Sequence, residues 1–191
     1  MRRGLGVVLL SALAVAAPSS SQAQKVKPVE RFTCFAAAMG RGKSGVVQIV
    51  IERWSTEEER ELLKGTLMQK GPDALLAALQ SVKPRVGYMR TPNTMGWDLY
   101  YARSTQNPDG TRRVFLATDR RIAFGEAMNQ TRSMQYDFTL VEIHFDKDGK
   151  GEGKLSLAVK VEVDPKTQQI ELENYDTRPV DLLDVRVDKK K

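Results

Sequence analysis

One cysteine and one histidine are all that the 191-residue chain contains of either type. Cys34 therefore has no partner for an internal disulfide, and no site built on two or more histidines can exist. Cys34 sits in Phe32-Thr33-Cys34-Phe35-Ala36, a strand-like apolar run, where a free cysteine is expected as a small core residue. An excess of one charge is also slight. The formal net charge of +6 comes from 30 Lys and Arg against 24 Asp and Glu. Two of the positive charges, Arg2 and Arg3, lie at the N-terminus, and three more form the tail Lys189-Lys190-Lys191. The remainder is balanced and interspersed, which argues against a nucleic-acid footprint. Long apolar runs are missing as well: after Ala17 nothing approaches the roughly 20 residues a membrane-spanning helix needs.

The first residues are different. Met1-Arg2-Arg3 is a positive start, Gly4 to Ala17 an uncharged apolar core, and Pro18 to Ala23 a small, polar stretch. Ser21-Gln22-Ala23 places small side chains where a signal peptidase reads them, so residues 1–23 are expected to be a secretory signal peptide cut between Ala23 and Gln24. The core has 14 residues, too short to cross a bilayer of about 30 Å as a helix. A twin-arginine route lacks its flanking pattern, and a lipid anchor lacks a cysteine at the cut. The expected location is the periplasm or the extracellular space.

Residues 24–30 read as an extended lead-in, 31–188 as one mainly-β domain, and 189–191 as a basic tail. Strands are expected at Arg31–Met39 and Gly45–Trp54, the second with Val47, Ile49 and Ile51 on one face. The period then changes. Ser55 with Glu58 predicts a capping box, Leu62, Leu63 and Leu67 an apolar stripe, and Gly71-Pro72 the joint between two helices. The resulting helical hairpin spans 56–82, with Leu75, Leu76 and Leu79 on its second helix. From Arg85 the pattern is β: strands at Arg85–Arg90, Trp97–Thr105, Arg112–Thr118, Ser133–Phe145, Lys154–Val163, Gln169–Tyr175 and Val180–Val187. Turn sequences at Asn107–Gly110, Asp146–Gly149 and Asp164–Thr167 make neighbours antiparallel. About nine strands with one inserted helical hairpin suggest a single antiparallel sandwich or open barrel, with the helices over an end or a face.

Two motifs imitate chemistry. Gly42-Lys43-Ser44 is the end of a phosphate-binding loop, with Ala37 where the first glycine belongs. That loop works only when a helix follows, because the helix amides cradle the phosphates. Here a β-branched run follows, so the segment reads as a hairpin turn. Asp146, Asp148 and Gly151 match positions one, three and six of a calcium loop, making Asp146 and Asp148 weak metal candidates. Lys150 and Leu157 occupy ligand positions five and twelve, which favours a turn over a calcium site. His144 shares a strand face with Glu142. An acid–base pair, or a Cys34–His144 nucleophile pair, needs partners that no spacing supplies, and a solvent-face histidine beside a carboxylate is the expected outcome.

The most suggestive segment is the aromatic and basic middle. Trp97, Leu99 and Tyr101 are expected on one strand face, with Asp98 and Tyr100 on the other. Bulk on both faces suits a strand buried on two sides or one that flanks a ligand cavity. Asp119, Arg120 and Arg121 fall at a strand junction, where polar side chains rim pockets. Trp97, Tyr101, Asp119, Arg120 and Arg121 are therefore the binding candidates.

Several stretches resemble a family of small exported bacterial proteins of unassigned function: Val47–Thr56, Gly71–Leu76, Pro84–Tyr88, Gly96–Leu99, Ala117–Arg120, Gly151–Ser156 and Ile170–Tyr175. The resemblance covers nearly all of the chain beyond the signal segment. It implies a bacterial origin and export, and carries no catalytic or ligand residues. The functional expectation is a non-enzymatic β domain, without cofactor, that binds a small apolar or amphipathic ligand or an envelope protein. The alternatives are an exported hydrolase whose site assembles only in the fold, and a structural or partner-binding module using a sheet edge.

Overall fold

Alternation of apolar and polar side chains builds the first hairpin of the computed structural model, which describes residues 27–37, 44–92, 96–119, 138–163, 170–174 and 179–188. The signal segment with its cut at Ala23 and Gln24, the pair Arg120 and Arg121, the turn 164–167 and the tail 189–191 lie outside the described residues. Strand β1 (Glu30–Ala37) pairs antiparallel with β2 (Ser44–Ile51), Ala37 opposite Ser44. Phe32, Cys34 and Ala36 point inward together with Val47, Ile49 and Ile51. Lys43 is thus followed by a strand, which removes the helix that a phosphate-binding loop requires.

Helices α1 (Glu57–Lys70) and α2 (Pro72–Ser81) follow. The capping box is one residue later than expected: Thr56 Oγ1 accepts from the Glu59 amide, and the Glu59 carboxylate accepts from the Thr56 amide. Ser55 cannot cap because its hydroxyl accepts from the Ala102 amide at 3.0 Å, tying the helix entrance to the barrel wall. The stripe is also narrower. Leu63 and Leu67 are buried, whereas Leu62 is 60% exposed.

The remaining strands are β3 (Gly87–Arg90), β4 (Trp97–Leu99), β5 (Tyr101–Gln106), β6 (Arg112–Thr118), β7 (Phe138–Phe145), β8 (Gly151–Val163), β9 (Ile170–Asn174) and β10 (Val180–Val187). All pair antiparallel in the order β4-β3-β2-β1-β10-β8-β7-β6-β5, and β9 pairs β8 to one side. The two ends of this path, β4 and β5, are consecutive halves of one bent segment. Its first half pairs with β3 and its second with β6, so the sheet curls into a nearly closed barrel of nine strands. Of the two architectures open from the sequence, the barrel is the one adopted. The helical hairpin covers its outer face.

Three irregularities decide which side chains enter the barrel. At Tyr100 the segment changes partner, and its amide donates to the Ala117 carbonyl. Leu99 and Ala102 therefore both face inward, three residues apart, while Tyr100 and Tyr101 pack outside. This corrects the expected grouping of Tyr101 with Trp97 and Leu99. In β8 the pairing with β7 shifts by one residue between Ser156 and Val159. Such a bulge reverses the alternation, so Leu155 points inward but Val159 and Val161 point out toward the helices. In β10 Asp184 adopts φ 51°, the left-handed region that Asp tolerates better than most residues. Leu182 and Val185 then both reach the interior.

The interior is filled by side chains. Phe32, Ile49, Ile51, Met89, Leu99, Leu116, Ile143, Leu155 and Leu182 are wholly buried, each contributing roughly 1.5–3 kcal/mol by leaving water. One end is plugged by Arg112, whose guanidinium forms a two-pronged bond to Glu30 at 2.7 and 2.6 Å. It also lies within 6 Å of the rings of Phe32, Trp54 and Phe145. Beneath it Gly151 is obligatory in size, since a Cβ there would come within 2.6 Å of the Phe145 ring.

Candidate functional site

Strands β6 and β7 carry apolar side chains on both faces. Val114, Leu116, Val141 and Ile143 belong to the barrel interior, whereas Phe115, Ala117, Phe138 and Leu140 belong to a second cluster outside it. Within a closed barrel, an apolar outer face must be covered by something else. The helical hairpin supplies that cover with Leu63, Leu67, Leu75 and Leu79, and the β8 bulge adds Val159 and Val161 to the sheet side.

The cover is incomplete. A groove of about 320 Å³ remains between α1, α2 and the outer sheet face. Its floor is Phe115, Ala117, Phe138 and Leu140, its helical wall the four leucines above, and Val161 and Leu172 close one side. Tyr101 lines it edge-on to Phe115, with ring centroids 6.2 Å apart at 67°. Arg60 and Lys64, one turn apart on α1, are the charged residues that line it. Arg60 bonds Glu57 at 2.6 Å and also pairs with Glu61. Lost hydration lowers the Arg60 pKa, but the Glu57 hydrogen bond and the neighbouring Glu57, Glu61 and Tyr101 outweigh this and raise it.

Of the expected binding residues, Tyr101 is in the groove. Trp97 is on the other side of the wall, partly buried against the barrel interior. Asp119 accepts from Gln80 Nε2 at 3.1 Å and so ties the end of β6 to α2. Asp146 is occupied with its own turn: one carboxylate oxygen accepts from the Asp148 and Lys150 amides at 2.9 and 2.8 Å. Asp148 is exposed in that turn, and no three His, Cys, Asp or Glu side chains converge on a metal position among the described residues.

The residues considered for nucleophilic chemistry are kept apart. Cys34 is inside the barrel, its thiol 3.7 Å from the Val47 carbonyl, and burial pushes its pKa up to about 12. Such a thiol stays protonated and inert at neutral pH. His144 is on the outer surface, 63% exposed, with Nε2 2.8 Å from the Glu142 carboxylate. Arg113 shares the same carboxylate. The barrel wall separates the two, so they form no dyad.

Sequence reasoning passed over Phe115, Phe138, Leu140, Arg60 and the floor residue Ala117. The available signal was Val114-Phe115-Leu116-Ala117, apolar on both faces within an antiparallel sheet. No helix among the described residues is long and apolar enough to cross a membrane. Comparison with protein-family models, curated proteins and solved structures finds no match to this chain.

Proposed function

We propose that this chain is an exported, non-enzymatic protein that binds a small amphipathic molecule in the groove between its helical hairpin and the outer barrel wall. The observation that supports the reading is the groove itself. Its volume of about 320 Å³ is at the lower end of small-molecule sites, and such sites are mostly apolar with a few polar groups. The barrel interior, among the described residues, is lined by its own buried apolar side chains. Export rests on the positive, apolar and small-polar succession of residues 1–23, and a bacterial source on the resemblance described above.

The site is tested by filling it. Ala117 is 7% exposed on the groove floor, so Ala117→Phe places a ring in the space a ligand would use. We expect binding of the fluorescent apolar probe N-phenyl-1-naphthylamine to fall by about tenfold or more, the scale of about 1.4 kcal/mol. Unchanged probe affinity in a folded Ala117→Phe protein counts against the groove. Native mass spectrometry of the exported protein should show a co-purifying small molecule that this variant loses. N-terminal sequencing of the exported material should begin at Gln24 or within a few residues of it; a protein that still begins at Met1 would defeat the export reading.

A further inference from the structure

The charged side chains that line the groove among the described residues are both cations. Among the described residues no Asp or Glu lines it; the charged lining residues there are Arg60 and Lys64, and the hydroxyl is that of Tyr101. The two cations are four residues apart on α1, hence on the same side of the helix and neighbours there. Arg60 is partly neutralised by Glu57 and Glu61. Lys64 forms no ion pair among the described residues, so its exposed ammonium stands beside the apolar slot.

We propose that the ligand is a single-chain anionic amphiphile, seated with its hydrocarbon against Leu67, Phe138 and Leu140 and its carboxylate at Lys64 and Arg60. This specifies the chemistry of the groove occupant and rests on the groove being a binding site. The apolar walls supply affinity without direction, since burial depends on area alone. The cations supply the direction: head toward α1, tail toward the sheet. A lysine stem also lies along apolar surface simply to keep its ammonium in water. The two situations differ in whether the charge discriminates among ligands.

Three probes of equal chain length separate them: dodecanoate, the neutral dodecanol and the cationic dodecyltrimethylammonium. Each is used below its micelle concentration to displace N-phenyl-1-naphthylamine from the whole exported protein, at about pH 8 where a carboxylate is ionised. An exposed charge contact is a modest one, so dodecanoate should bind roughly twofold to fivefold more tightly than dodecanol. Dodecyltrimethylammonium should bind most weakly. Lys64→Ala should erase most of the preference and Lys64→Glu should reverse it, and molar salt should flatten it in the unaltered protein. Equal binding of dodecanoate and dodecanol, indifferent to Lys64→Glu, overturns the anionic assignment while leaving the groove intact. Failure of all three to displace the probe overturns both.

Discussion

The two hydrophobic clusters of this protein share strands and differ in closure. The barrel interior is enclosed by a nearly closed ring of nine strands and plugged at one end by Arg112 and Glu30. The outer cluster uses the opposite faces of β6, β7 and β8, and is covered by two helices that leave a groove of about 320 Å³. A sheet joined through its backbone forces complementary packing on its inner face. Helices laid across its outside are held by side chains and a few anchors, so their fit can leave room. The interior accordingly contributes stability, and the outer cluster offers space for a ligand at some cost in packing.

Truncating one leucine in each cluster exposes the difference. Leu116 and Leu140 are on the neighbouring strands β6 and β7, where Leu116 is opposite Val141 and Leu140 opposite Ala117. Leu116 is wholly buried in the interior and Leu140 is 8% exposed at the groove. Leu116→Ala leaves a cavity that closed walls cannot collapse, and should lower unfolding free energy by about 3–4 kcal/mol. Leu140→Ala enlarges space that is already present, and should cost only about 2 kcal/mol, the lower end of the same scale. Urea titration of both variants measures this directly. Equal losses would mean that the groove wall is as tightly packed as the interior.

The clusters should also respond to opposite extremes of pH. In the interior, burial raises the Cys34 thiol from an ordinary thiol value to about 12. Its contribution is complete below the unfolded-state pKa, near 8.5, and is lost as pH rises toward the folded value. By about pH 10 the loss should reach roughly 1–2 kcal/mol, and Cys34→Ala should remove that slope even though it lowers stability overall. A stability–pH curve above pH 8.5 that is the same with and without Cys34 would contradict the assignment.

How much of this was readable beforehand depends on what each feature encodes. The strands Arg112–Thr118 and Val180–Val187 and the helical hairpin are where periodicity and turn residues place them, because those signals are local. The faces were misread at Tyr101 because a change of strand partner at Tyr100 reverses alternation without altering composition. The same applies to the β8 bulge, which sends Val159 and Val161 outward and so builds part of the groove. Barrel closure was likewise hidden, since it depends on a single segment, Trp97–Gln106, having two different neighbours. Asp119 was recognised as a junction residue, but its partner Gln80 is 39 residues away in the chain, and sequence spacing carries no trace of that contact.

The smallest expected effect concerns the anchor of the helical cover. Glu59 closes the capping box with Thr56 and receives two bonds from Arg53, at 2.9 and 2.8 Å. Arg53 in turn donates to the Pro84 carbonyl, which joins the start of α1 to the chain leaving α2. The Arg53 hydrogen bonds, opposed by desolvation and aided by the Thr56 amide, hold the Glu59 carboxyl below its ordinary range. A lowered carboxylate pKa stabilises the fold above the unfolded value, about 4.3, and that contribution fades as pH falls through the lowered folded value. The helical cover should therefore loosen in acid, at the opposite end of the scale from the interior. Thr56→Ala should cost about 0.5–1 kcal/mol, typical of a lost cap. Hydrogen exchange should locate the change in α1 and leave the interior strands protected. If Thr56→Ala instead accelerated exchange equally at Leu116 and at Leu63, cover and barrel would open as one unit, and their separation into an independent container and core would not hold.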